Sequence, residues 1–291
     1  MKILLTGANG QLGRCIQDRI PQEWHLDVMD SGLLDITDKQ QVMQRVAQCS
    51  PDIIINAAAY TAVDKAESES LQAEKVNAQG AKFLALAAKE HQARLIHIST
   101  DYIFDGSQST PYSEVDIPTP VNVYGKTKLA GEQAIESILT NAVIIRTSWV
   151  FSEYGNNFVK TMLKLGQERQ HLTIIHDQRG CPTYAGDLAQ TIIELIQNHP
   201  QAQGIYNYCG ASDVSWYEFS ELIFDIAVSD NWLLTRPYIE KITTSEYPTP
   251  AKRPQYSLLD CSKLLNLGIE RSDWKKSLYK VVKSLCDNET K

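Results

Sequence analysis

The stretch Lys2-Ile3-Leu4-Leu5-Thr6-Gly7-Ala8-Asn9-Gly10-Gln11-Leu12-Gly13 passes from a short apolar run straight into three glycines and then into an amphipathic segment. The run predicts a buried strand over 2–6, and the segment after it predicts a helix. Glycine serves three ends at such a junction: the tight turn, close approach of backbone to a pyrophosphate, and helix-strand packing, with the anion resting on the helix N-terminus. The spacing is three and three, not the two and three of the usual dinucleotide fingerprint. What gives it weight is its place at the first strand-helix junction. Gly7, Asn9, Gly10, Gln11, Leu12 and Gly13 are therefore candidate cofactor contacts.

Outward from this turn, β-branched runs at Lys2-Thr6, His25-Asp30, Ile53-Asn56, Leu95-Ser99 and Val143-Arg146 alternate with helical periodicity at Gln11-Ile20, Lys39-Gln48, Leu71-Glu90 and Tyr124-Leu139. That alternation predicts an α/β fold with a doubly wound parallel sheet of Rossmann type. Residues 1–150 are expected to form the dinucleotide-binding domain. Residues 151–291 are expected to be mainly a smaller mixed α/β lobe for substrate. A helix signalled by Pro182 and Thr183 and running through Asp187 to Ile196, with a strand at Gly204-Cys209, is expected to rejoin the first domain (182–209). The tail Asp287-Lys291 reads as frayed.

Composition narrows the function. The 291 residues are 43% hydrophobic and 22% charged, with a formal net charge of -7. This is the profile of an ordinary globular chain and a poor one for a nucleic-acid binder, which needs many cationic contacts with phosphate. Cys15, Cys49, Cys181, Cys209, Cys261 and Cys286 lie far apart, without metal or redox spacing, and read as reduced thiols. Neither a signal peptide nor a membrane-spanning run of ~20 apolar residues is present, so the expected address is the cytoplasm, with no membrane partner.

Asp30 ends the second strand, where a carboxylate can accept from the adenosine ribose hydroxyls. Arg14, just past the third glycine, could instead meet a 2′-phosphate, which leaves NADPH or NADH open. Asp35, Ile36 and the small run Ala57, Ala58, Ala59 would allow close approach of cofactor; tight packing explains the alanines equally well. Tyr124 and Lys128, in Tyr124-Gly-Lys-Thr-Lys128, share one helix face. An ammonium there would lower the tyrosine pKa from its ordinary value of about 10. Thr100, at the end of a buried strand, would hydrogen-bond the substrate oxygen. His97 on that strand reads as a satisfied core histidine, not as a participant.

Together, Asn56-Ala-Ala-Ala-Tyr-Thr-Ala-Val-Asp-Lys-Ala-Glu67, Ser99-Thr-Asp-Tyr-Ile-Phe-Asp105, Asn122-Val-Tyr-Gly-Lys-Thr-Lys-Leu-Ala-Gly-Glu132, Arg146-Thr-Ser-Trp-Val150, Gly155-Asn-Asn-Phe158 and Tyr247-Pro-Thr-Pro-Ala251 with Arg253-Pro254 span nearly the whole chain. In them the sequence resembles the extended short-chain dehydrogenase/reductases. The resemblance implies Thr100, Tyr124 and Lys128 as catalytic residues, with Lys128 also on the nicotinamide ribose. It implies Thr61, Val63, Tyr102 and Trp149 around the sugar, and Arg253 on the substrate diphosphate. The activity implied is NAD(P)H-dependent reduction of dTDP-4-dehydro-L-rhamnose to dTDP-L-rhamnose. A reductase or epimerase for another nucleotide sugar is the alternative within enzymes; outside them stands a regulatory subunit like that of methionine adenosyltransferase. No metal is expected, because Cys15 stands where magnesium-binding members have glutamate and the helix around Asp187 lacks the second glutamate. Oligomeric state stays open, with a homodimer as the candidate.

Overall fold

The computed structural model describes residues 1–289. Its main sheet holds β1 (Lys2–Thr6), β2 (His25–Met29), β3 (Ile53–Asn56), β4 (Arg94–Thr100), β5 (Val143–Thr147) and β6 (Gly204–Asn207). These lie in the order β6-β5-β4-β3-β1-β2 with every pair parallel. The longer helices are α1 (Gln11–Gln17), α2 (Lys39–Cys49), α3 (Ala81–Glu90), α4 (Val123–Ile138), α5 (Phe158–Glu168), α6 (Ala185–Asn198), α7 (Trp216–Ser229) and α8 (Trp274–Glu289).

A strand sends alternate side chains to opposite faces, and parallel strands covered on both sides are apolar throughout. Ile3, Leu5, Ile53, Ile55, Ile96, Val143 and Ile145 accordingly pack with α1 and α6. Leu4, Ile54, Leu95 and Ile144 pack on the other face with α2, α3 and the end of α4. A further core joins α5, α7 and α8 to the parallel pair His171–Ile175 and Tyr238–Ile242. The doubly wound sheet is thus as expected, with β6 added beside β5.

Three elements depart from the sequence reading, among them α1, which ends at Gln17 and not at Ile20. The helix expected over Leu71-Glu90 is broken into Ser70–Glu74, a π turn at Lys75–Gly80, and α3. The wider turn carries Asn77, whose side chain accepts from Tyr60 N at 2.8 Å and donates to Tyr60 O and Thr127 Oγ1, both at 3.1 Å. It ties the loop after β3 to α4, a constraint that apolar periodicity does not register. The last strand stops at Asn207, two residues before Cys209; Tyr208 N still donates to Arg146 O, at 2.9 Å, before the chain turns away. Of the tail read as frayed, α8 continues through Glu289, and residues 290–291 lie outside the described residues. No helix among the described residues is long and apolar enough to cross a membrane.

Candidate active site

Gly7 has φ +71°, and a Cβ on it would stand 2.5 Å from the Ala57 carbonyl carbon, so the turn presses directly on the loop after β3. Gly13 serves packing, since its Cβ would enter the Gly7 carbonyl oxygen. Gly10 caps α1 with no side-chain hydrogen bond and no acidic residue follows in the first turn, which leaves the leading N–H groups open to an anion. Asp30 is braced from three sides: Oδ2 accepts from Asn9 Nδ2 at 2.7 Å, and Oδ1 from Gly32 N at 2.9 Å and Leu33 N at 3.0 Å. Arg14 Nη2 donates to Asn9 Oδ1 at 3.2 Å, so cation and carboxylate meet through one asparagine.

A cleft of about 1000 Å³ runs from this turn across the carboxyl ends of the strands, the place where open α/β sheets bind ligands. Gly7, Asn9, Gly10, Gln11, Leu12, Asp30, Asp35, Ile36 and Ala57 to Ala59 line one end. Thr61, Val63, Thr100, Tyr102, Tyr124, Lys128 and Trp149 line the other. Of the residues expected from sequence, Gly13 and Arg253 stand off it.

The catalytic candidates converge as the strand-helix pair requires. Thr100 ends β4, while Tyr124 and Lys128 lie in the first turns of α4, whose N-cap Asn122 accepts from Gly125 N at 2.8 Å. Gly125 lets the helix close on the Tyr102 carbonyl, which a Cβ would strike. The Thr100 hydroxyl hydrogen-bonds the Tyr124 phenol and also meets Asp101 Oδ1 at 3.1 Å. Lys128 is buried; Nζ donates to Ile98 O at 2.5 Å and lies 3.4 Å from His97 Nε2.

The electrostatics correct one expectation. Burial pushes Tyr124 up to about 12, with the Thr100 hydrogen bond acting downward and Asp101 upward. Burial also pulls Lys128 down to about 8, against the pull of Glu132. The lysine head is turned to the Ile98 carbonyl and to His97, and burial sets the direction for the tyrosine. Asp101, 2% exposed, is pushed up to about 7 by burial. His97 is satisfied, as the sequence suggested, with Asn56 Nδ2 at 2.9 Å on one ring nitrogen and Lys128 on the other.

Known proteins extend this geometry. The family model described as "RmlD substrate binding domain" matches residues 1–286. The dTDP-4-dehydrorhamnose reductase of Aggregatibacter actinomycetemcomitans is 45% identical over 287 residues, covering 96% of this chain and 98% of that protein. The chain belongs to the dTDP-4-dehydrorhamnose reductase family. Among solved structures, the family's member from Clostridium acetobutylicum superposes with TM-score 0.92 at 40% identity, covering 98% of this chain and 99% of that one. The member from Bacillus anthracis, solved in complex with NADP, gives TM-score 0.91 at 39% identity, covering 96% and 98%.

The cleft of this member of the family fits a dinucleotide on its own residues. Besides the uncapped helix, Ser99 Oγ and Thr147 Oγ1 are buried in its wall without a hydrogen-bond partner. At the end of the cleft that holds Thr100 and Tyr124, Trp149 has φ +45°, an uncommon conformation for a bulky residue. Its ring stacks on Trp216 with centroids 3.4 Å apart and planes 6° apart, and Gly180 is glycine because a Cβ would enter the indole. Arg253 reaches back to Asp64, its Nη2 2.8 Å from Oδ2 and Nη1 3.0 Å from Oδ1. The segment carrying it is fastened to the α4 cap, since Asn122 Nδ2 donates to Lys252 O at 2.8 Å.

Sequence reading missed Trp216, Asp64, Asp101 and the brace Asn77. A capping-box signal was present for Trp216, with Ser215 and Glu218 three apart at the start of α7. No group of three or more His, Cys, Asp or Glu side chains among the described residues is gathered so as to hold a metal ion.

Proposed function

We propose that the chain reduces the C4 keto group of dTDP-4-dehydro-L-rhamnose, giving dTDP-L-rhamnose, with Thr100, Tyr124 and Lys128 as its catalytic residues. The observation that carries this reading is the meeting of those three side chains in a cleft whose far end is the glycine turn. NADPH or NADH, when bound, supplies the hydride. Thr100 and Tyr124 hold the sugar oxygen, and Tyr124 gives its proton to that oxygen as negative charge develops on it. A phenol pushed up to about 12 is protonated at neutral pH, the state an acid needs before an alkoxide forms. Lys128 returns a proton to Tyr124 and binds the nicotinamide ribose. Trp149 and Trp216 give the sugar an apolar wall, while Thr61, Val63 and Tyr102 complete the pocket. None of these steps requires a Lewis acid.

The test is to mix the protein with reduced cofactor and a panel of 4-keto nucleotide sugars, following cofactor absorbance and identifying the product. Preferential turnover of the dTDP-linked 4-keto-6-deoxyhexose is expected. Turnover confined to another sugar or another base would move the chain to a different substrate.

The joined Arg14, Asn9 and Asp30 lead to a cofactor prediction. The carboxylate favours free ribose hydroxyls, whereas the guanidinium offsets its repulsion of a 2′-phosphate. Both cofactors should work, with kcat/KM differing by less than roughly a thousandfold, about 4 kcal/mol. A larger ratio would mean that one of the two charges is directed away from the ribose.

Arg253 is assigned to the substrate diphosphate, for which a planar guanidinium is well matched. Asp64 already fixes one edge of it, and the side chain meets Tyr102, which lines the cleft. Arg253→Ala should raise KM by about 10- to 100-fold, the worth of a hydrogen bond to a charged group. Turnover at saturation should change little. A collapse of kcat with unchanged KM would put Arg253 in the transition state instead.

We further assign residues 1–150 with 182–209 to cofactor binding and most of 151–291 to the sugar nucleotide. The cytoplasm is the address that buried, reduced Cys15, Cys181, Cys209 and Cys261 favour.

A further inference from the structure

His97 is 1% exposed on β4, and a chain of hydrogen bonds fixes where its proton sits. Asn56 Oδ1 accepts from the Ala58 backbone N–H at 3.1 Å and from Thr6 Oγ1 at 2.7 Å. A backbone N–H can only donate, so the amide oxygen must face it. Asn56 Nδ2 is then the atom 2.9 Å from His97 Nδ1. An amide NH₂ has no acceptor lone pair, which makes Nδ1 the acceptor and leaves the proton of neutral imidazole on Nε2. Nε2 is the atom that faces Lys128 Nζ. Burial and the neighbouring lysine both oppose imidazolium.

An ammonium and an Nε2–H are both donors. Their contact is satisfied only when Lys128 is the amine, whose lone pair accepts from His97 while one of its own hydrogens stays on Ile98 O. We propose that His97 is a positioning residue for Lys128: with its tautomer locked by Asn56, it favours the neutral amine and makes the charge of Lys128 depend on what occupies the cleft. The proposal rests on the role given to Lys128 above.

The other groups facing the lysine head set the balance. Glu132, one turn further along α4 and held by Arg146 on β5 at 2.8 Å, favours the ammonium. Tyr124 lies on the same helix face, and Asp101 on the turn after β4 lines the same cleft. In the reaction, the Tyr124 proton goes to the sugar oxygen and a Lys128 proton goes to the phenolate, leaving the amine. His97 Nε2–H then donates to that lone pair. The lysine left after proton return is the form the histidine stabilises, and solvent recharges it once product has gone.

Nitrogen NMR of the unmodified protein labelled in histidine tests this without any assay of activity. On the alkaline side of the Lys128 titration, His97 should show a protonated Nε2 and a bare Nδ1; a proton on Nδ1 would overturn the proposal. Asn56→Asp provides the kinetic arm. An aspartate accepts from Nδ1, so the proton moves there and Nε2 offers lone-pair electrons to an ammonium. The basic limb of kcat/KM against pH should move up by about one unit or more. The double variant Asn56→Asp with His97→Phe should lose that movement. An equal shift without the imidazole would assign it to the carboxylate charge and overturn the proposal. Should the protein reduce no keto sugar, the function fails, while the labelled histidine still decides the tautomer.

Discussion

Tyr124→Phe is expected to reduce turnover by at least about a hundredfold, within the factor of ~10² to 10⁴ that general acids supply. As hydride reaches the carbonyl carbon, its oxygen becomes an alkoxide, far more basic than any phenolate. The proton that neutralises it must come from a group already in contact. Tyr124 is the group we propose, because Thr100 holds its hydroxyl and burial keeps the phenol protonated. Phenylalanine keeps the ring and its edge-on contact with Tyr102, whose centroid lies 5.8 Å away, so the fold should be undisturbed. Reduced-cofactor affinity should stay near that of the parent, since the glycine turn, Asp30 and Lys128 remain. Turnover and cofactor binding measured on one preparation give the answer, and near-normal turnover would remove Tyr124 as the acid.

The largest stability effect is expected beneath that site. Arg146 on β5 and Glu132 on α4 are 2% and 1% exposed at the side chain, and Nε and Nη2 both reach the carboxylate, the shortest distance being 2.8 Å. Taking one partner away leaves a buried charge without compensation, at a cost of about 3–5 kcal/mol, whereas replacing both by apolar residues can be neutral. Arg146→Leu should therefore lower the denaturant midpoint strongly, and adding Glu132→Leu should recover most of the loss. The pair also anchors the helix that carries Tyr124 and Lys128, so activity should fall at temperatures where Arg146→Leu is still folded. Comparable midpoints for the single and double variants would show that the carboxylate finds another partner.

The sheet was legible because burial on both faces makes its strands continuous apolar runs, and helical periodicity separates them cleanly. The glycine turn was legible for a related reason. Gly7 is dictated by its positive φ and Gly13 by backbone within the same junction, so three glycines at fixed spacing report them. What escaped depends on side chains meeting across long separations. Asn77 sits in a helical pattern whose apolar spacing hides one inserted residue, and its partners Tyr60 and Thr127 are 17 and 50 positions away. Trp216 lines the cleft stacked on Trp149, far from it in the chain. The direction of the Tyr124 and Lys128 shifts escaped as well, because helix spacing gives their separation but not the burial that drives both shifts.

Deuteride transfer tests the central claim most directly. The protein is incubated with cofactor carrying deuterium at the transferring position and with dTDP-4-dehydro-L-rhamnose, and the sugar is read by mass and proton NMR. Keto reduction at this site predicts one deuterium at C4 of dTDP-L-rhamnose for each cofactor oxidised, and its disappearance with Tyr124→Phe. Cofactor that binds yet transfers no deuterium to any 4-keto sugar offered would contradict the catalytic reading and favour a regulatory protein.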